Sequence, residues 1–178
     1  MNRFLTTLLL STFALSAHAA DASSDNFSGL WRYDATLSTE LSPWKAFDLT
    51  LTVQGEKITI HRQLSWSRRI HEDTTVIDLA QTGNVQLAPM WADNRHLGAY
   101  ISDDRTKRVR AEWLDEKRIL RVNTDLTLEA QQGPRAVNIL SDYKLSTNGS
   151  RLTLTELRST RNRPIVYIFN RVSPTTAP

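Results

Sequence analysis

The chain contains no cysteine. That absence excludes disulfides, thiolate metal sites, a haem-attachment pair and a lipid-modified N-terminal cysteine, so stability has to come from packing. Glycine and proline are sparse, six of each in 178 residues, which makes each turn they mark informative. An excess of charge of one sign is lacking too. The 22 Lys and Arg against 19 Asp and Glu leave +3, too weak a field to hold a nucleic acid. No apolar run reaches the ~20 residues that span a bilayer, and past residue 45 helical periodicity is almost absent.

What is present begins with "MNRFLTTLLLSTFALSAHAA". Arg3 precedes an apolar stretch from Phe4 to Ala17 that ends in small residues, with Ala17-His18-Ala19 as an Ala-x-Ala cleavage signal. Residues 1–20 therefore read as a secretory signal peptide, cut after Ala19 or Ala20. Residues 21–178 read as a single domain. Export without a lipidation cysteine predicts a periplasmic or secreted protein that is not membrane-anchored.

Beyond residue 45 the sequence alternates with a period of two. In "FDLTLTVQGEKITIHRQL", Leu49, Leu51 and Val53 run into Gln54-Gly55-Glu56, and Ile58 and Ile60 return, which predicts a hairpin. Val109, Ala111 and Trp113 run into Asp115-Glu116-Lys117, and Leu120, Val122, Thr124 and Leu126 return. Asn148-Gly149 marks a third tight turn, and Ile165 to Val172 makes a last strand. Weaker strands are predicted at 73–80, 84–91 and 95–102, with 62–73 and 89–96 as loops and 34–45 and 173–178 irregular. Short connections make sequential antiparallel neighbours. Such a meander has to close into a barrel or fold into two layers, because an open sheet of this length leaves its edges bare.

The last strand, "VYIFNR", decides between these. Tyr167, Phe169 and Arg171 share one face, and a guanidinium that follows two aromatic rings out of water needs a partner. Trp31 of "FSGLWRY" supplies one if the first and last strands are neighbours, with Gly29 permitting close backbone approach. Trp31 and Arg171 are thus predicted to close the sheet on itself, the cation stacked on the indole.

"SGLW" near the start, with an arginine in the final strand, resembles the lipocalin and wider calycin signature. "LSDYKLS", carrying Asp142 and Tyr143, is similar to the middle motif of lipocalins. The stretches "FSGLWRYDATLS", "AEWLDEKRILRV", "YKLSTNGSRLTL" and "VYIFNR" resemble, in order and spacing, lipocalin-like secreted bacterial proteins. The resemblance implies an all-β, antiparallel up-and-down barrel of about 8–10 strands.

No nucleophile elbow, zinc-binding helix motif, dinucleotide loop or phosphate loop is present. His61, His71 and His96, even with Glu72 and Asp73 beside the second, have no recognised metal-ligand spacing. Neither catalytic residues nor metal or cofactor sites are assigned. The basic clusters Arg68-Arg69, Arg105-Lys107-Arg108-Arg110, Lys117-Arg118-Arg121 and Arg158-Arg161-Arg163, with acids interspersed, read as a solvated outer wall, the alternative being a patch for a phosphate or an acidic lipid head group. A barrel of this size can hold one ligand or fill itself with side chains. The resemblance implies an exported, non-enzymatic container for a small hydrophobic or amphipathic molecule. Parity assigns Trp113, Tyr143, Tyr167 and Phe169 to its lining, with Tyr100 or Arg121 orienting a polar head at the mouth. The alternative is a solid barrel that meets an envelope protein partner through loops 62–73 and 89–96.

Overall fold

Alternation fixes which side of each strand goes inward, and the pattern is continuous around the molecule. The computed structural model describes residues 24–41, 44–89, 91, 100–101 and 103–173. A 3₁₀ turn, Ser24–Phe27, leads into β1 (Gly29–Tyr33), β2 (Ala46–Gln54), β3 (Lys57–Trp66), β4 (Arg69–Asp78), β5 (Asn84–Leu87) and β6 (Tyr100–Ile101). There follow β7 (Thr106–Leu114), β8 (Ile119–Ala130), β9 (Gly133–Leu145), β10 (Arg151–Arg158) and β11 (Ile165–Arg171). On β2, Phe47, Leu49, Leu51 and Val53 are buried while Thr52 and Gln54 are exposed. Ile165, Tyr167 and Phe169 do the same on β11. The apolar core is this set of inward rows.

The strands pair antiparallel in the order β4-β3-β2-β1-β11-β10-β9-β8-β7-β5, with β6 on β8. This is the up-and-down, nearly closed barrel expected. Its termini lie in the middle of the sheet: Trp31 is paired with Arg171, Arg32 with Asn170 and Tyr33 with Phe169. Segment 34–39 continues along β11, where the Thr39 N–H donates to the Val166 carbonyl at 2.7 Å.

Between β4 and β5 no backbone pairing is found among the described residues, and side chains take its place. The Gln86 amide accepts from the Val76 N–H at 2.9 Å and donates to the Val76 carbonyl at 2.9 Å. Asn84 does likewise with Asp78, at 3.1 and 3.3 Å. Each carboxamide imitates the donor and acceptor of a missing strand residue, so the β4 edge is satisfied locally without a ladder.

The sequence reading departs from this in four places. Segment 62–73 is not a loop. It is the end of β3, a tight turn at Ser67 and Arg68, with Ser67 at φ 54°, and the start of β4. Its polar residues alternate across a wall instead of leaving it. Strand β9 begins at Gly133, where the alternation predicts no strand, and β5 stops at Leu87. Phe27 belongs to the 3₁₀ turn, not to the first strand. Residues 1–20, His96 and most of 89–99 lie outside the described residues. Among the described residues no helix is long and apolar enough to cross a membrane.

Candidate functional site

One end of the barrel is closed by its own first residues. Phe27 is fully buried and meets Trp113 edge to face, ring centroids 5.0 Å apart. The Trp31 indole N–H donates to the Phe27 carbonyl at 3.0 Å. Over Trp31 lies Arg171, its guanidinium carbon 4.1 Å from the ring centroid. The Arg171 Nε donates to the Gly149 carbonyl and Nη1 to the Ser28 carbonyl, both at 2.8 Å, and Nη2 donates to the Asn26 carbonyl. One side chain thereby ties the 3₁₀ turn, β1 and the β9–β10 turn together. Gly29 is required here: its φ is +142°, and a Cβ at that position would stand 2.8 Å from the Arg171 Nη1.

Next to this plug, Tyr33, Phe47, Tyr167 and Phe169 pack edge to face, with centroids 4.9–6.3 Å apart. This fills the apolar part of the interior. What remains is a cavity of about 80 Å³, against roughly 300–1,000 Å³ for the pockets of drug-sized ligands. Its apolar wall includes Ile60, Val122, Leu126 and Ile139. Its polar wall comes from inward rows in which a charge replaces an aliphatic residue: Arg62 after Ile58 and Ile60, Asp73 before Thr75 and Ile77, Lys107 before Val109, and Glu156 after Leu152 and Leu154. Arg158, Tyr143 and Ser141 complete it.

These charges are organised around Asp73. Lys107 Nζ donates to its two carboxylate oxygens at 3.0 and 3.1 Å and to Thr75 Oγ1 at 2.8 Å. Arg62 bonds the same carboxylate from the neighbouring strand. Lys107 reaches across from β7 to β4, so it also spans the seam on the inside. Burial works to raise the Asp73 carboxyl, but Arg62 and Lys107 overcome it and hold the group at about 2. Lys107 has the opposite balance. Burial, and then the Arg62 cation, push it down to about 8 against the pull of Asp73. The carboxylate answers two cations, whereas the ammonium shares one carboxylate with a competitor. Tyr143 is raised by burial, the Arg62 cation opposing. His71 is lowered by burial and by Arg62. Arg158 donates to Glu156 at 2.6 Å and lies over the Trp91 ring at 5.4 Å. Among the described residues, Arg62, Lys107 and Arg158 thus face Asp73 and Glu156 across one cavity.

Of the residues assigned from sequence, only Tyr143 lines the cavity. Tyr167 and Phe169 belong to the packed aromatic layer and Trp113 to the plug. Arg121 stands on the outer wall, between the inward Leu120 and Val122, and is bidentate to Asp142 at 2.8 and 2.7 Å. It cannot orient a head group inside. Only the backbone of Tyr100 is described, paired with Glu129. Arg32–Asp48 at 3.1 Å and Arg110–Asp125 at 2.6 Å are further outer-wall pairs. The charged cluster escaped the sequence reading, although its signal was there: a charge at inward parity in an otherwise apolar row. Among the described residues no group of three or more His, Asp or Glu is placed to hold a metal.

No family model matches the sequence, and no curated protein matches it either. Solved structures do match. Secretory abundant heat soluble protein 4 from Ramazzottius varieornatus aligns over 84% of this chain and 96% of its own, with a TM-score of 0.51 at 11% identity. Another secretory abundant heat soluble protein from that organism aligns over 86% and 100%, with a TM-score of 0.47 at 10% identity. A variant of the REP1-NXSQ fatty acid transporter aligns over 83% and 98%, with a TM-score of 0.45 at 7% identity. At such identities the likeness is one of fold, and the fold is a lipocalin-like β-barrel.

Proposed function

We propose that this chain is an exported, non-enzymatic barrel that takes up a small amphipathic molecule whose polar end is an anion. The observation that carries the proposal is the pair of cations, Arg62 and Lys107, that shares the single carboxylate of Asp73 in the cavity wall. Within that described cluster the cations outnumber the carboxylate they bond, and a cation drawn out of water is costly unless a counter-ion joins it. A bound anion supplies that counter-ion, while Ile60, Val122, Leu126 and Ile139 offer a short apolar wall for the rest of the molecule. The size of the cavity favours a compact ligand. Its smallness also favours a second reading, a filled barrel that serves a protein partner of the cell envelope. Export is supported by the leader-like character of residues 1–20.

Native mass spectrometry of protein purified from its own host tests the proposal. The expected result is one added small mass, lost in Lys107→Met, together with heat of binding when short-chain carboxylates are titrated in. A bare mass, with no heat from any acid of the series, overturns it. A stoichiometric protein recovered by pull-down in that case establishes the second reading.

A further inference from the structure

The β3–β4 hairpin ends in five consecutive exposed residues, Trp66-Ser67-Arg68-Arg69-Ile70. Trp66 is 42% exposed and Ile70 65%, so neither takes part in the core. Trp66 and Arg69 are the closing pair of the hairpin, with the Arg69 guanidinium 5.8 Å from the indole centroid. This tip stands at the end of the barrel away from the Phe27 plug, because β3 runs from Lys57, beside the plugged end, to Trp66. Arg62, which lines the cavity, lies four residues before it on the same strand, roughly 13 Å at strand rise.

Three features restrict what such a tip can meet. It is narrow, Trp66 and Ile70 flanking a two-residue turn on the two faces of the hairpin, and that cannot supply the ~800 Å² per partner of a stable protein interface. Its chemistry is amphipathic in one place: an indole, an aliphatic side chain and two guanidinium groups, the combination that settles at a lipid headgroup layer. Its charge is one-sided. The β3–β4 turn carries Arg68 and Arg69, and the β10–β11 turn at the same end carries Arg161 and Arg163, with no acid in either turn. Among the described residues the other loops of that end hold Asp34, Glu40, Asp103 and Asp104 with Lys45 and Arg105, so the acids do not sit on the tip itself. At the plugged end the turns are mixed, as in Asp115-Glu116-Lys117-Arg118.

We infer that the β3–β4 hairpin is a docking element for an anionic phospholipid surface, with Trp66 and Ile70 entering the headgroup layer and Arg68 and Arg69 on lipid phosphates. The contact is peripheral and reversible, since one indole and one aliphatic side chain are far from an anchor. It places the end of the barrel opposite the Phe27 plug toward the membrane. The inference does not depend on what the cavity holds.

The test is co-sedimentation of the protein with vesicles of phosphatidylcholine and phosphatidylglycerol at 3:1, against phosphatidylcholine alone. Binding is expected to the first only, and to fall as salt rises to 0.5 M. Arg68→Ala/Arg69→Ala should weaken partitioning by about tenfold or more. Brominated lipid should quench tryptophan emission in the parent and not in Trp66→Phe. All of these side chains are exposed, so the variants should melt at the parent temperature; should Trp66→Phe fail to fold, Arg68→Glu/Arg69→Glu abolishes binding instead. Equal binding to both vesicle types, no binding to either, or unchanged binding by the arginine variants overturns the inference. A protein captured stoichiometrically through Trp66, in the absence of vesicle binding, overturns it as well.

Discussion

Replacing Gly29 with alanine is the sharpest probe of the barrel's closure. The new methyl would meet Arg171 Nη1 at 2.8 Å and would sit on a residue whose φ is +142°. The backbone strain alone costs about 1–3 kcal/mol. Moving the guanidinium aside also weakens its bond to Ser28, now at 2.8 Å, and its stack on Trp31 at 4.1 Å, together about 2 kcal/mol. Gly29→Ala should therefore lose about 3–5 kcal/mol, more than a surface substitution can explain. Arg171→Ala, which frees three carbonyls and uncovers the indole, should lose a similar amount. The decisive quantity is the double variant. Once Arg171 is gone there is nothing for the methyl to strike, so Gly29→Ala in that background should cost only the backbone strain. Urea unfolding followed by tryptophan fluorescence gives each free energy, and the coupling should come out near 2 kcal/mol. Costs that add to within about 0.5 kcal/mol would show that glycine serves the backbone alone and that the arginine does not lean on it.

Other expectations follow from the seam and the cavity. Gln86→Ala removes both amide bonds to Val76 and should cost about 1–2 kcal/mol; hydrogen exchange should show the Val76 amide losing protection while Leu49 and Leu154 keep theirs. Asp73, held at about 2 against an ordinary 3.8, adds stability at any pH above roughly 4 and loses it as pH falls through 2, on the order of 2 kcal/mol. Asp73→Asn should flatten that part of the stability profile, measured by denaturant melts at stepped pH. Lys107, lowered to about 8 from 10.5, binds fewer protons folded than unfolded between those values. Its contribution therefore grows as pH rises across the window, and Lys107→Met should remove that rise.

The walls of this barrel were legible because their inward rows are apolar: Leu49-Leu51-Val53 and Tyr167-Phe169 announce a period of two wherever the two faces differ in polarity. The same rule hid the end of β3 and the start of β4. Arg62, Gln63, Arg68, Arg69, Glu72 and Asp73 make a polar run, and a strand with charge on both faces looks like a loop until its partners are known. Asp73 finds one of its partners 34 residues later, in Lys107, and no local pattern carries that distance. Arg171 could be read because its predicament was visible within its own strand, two aromatic rings before it. Arg121 shows the opposite case. Its neighbours Leu120 and Val122 already assign it to the outer wall, and a head-group role could be entertained only by setting parity aside.

The side-chain seam gives the chain an unusual connectivity. Its first and last strands are bonded in the centre of the ribbon, where the Val172 N–H donates to the Leu30 carbonyl at 2.8 Å, while the ribbon's free borders, β4 and β5, are joined by a short turn. Joining β11 back to β1 and opening the chain between Asp78 and Asn84 would leave every backbone ladder intact and, β6 apart, turn the barrel into one meander from border to border. A circularly permuted form cut there should fold as readily as the original, with the Asn84 and Gln86 carboxamides and the Lys107–Asp73 pair left to hold the cylinder shut.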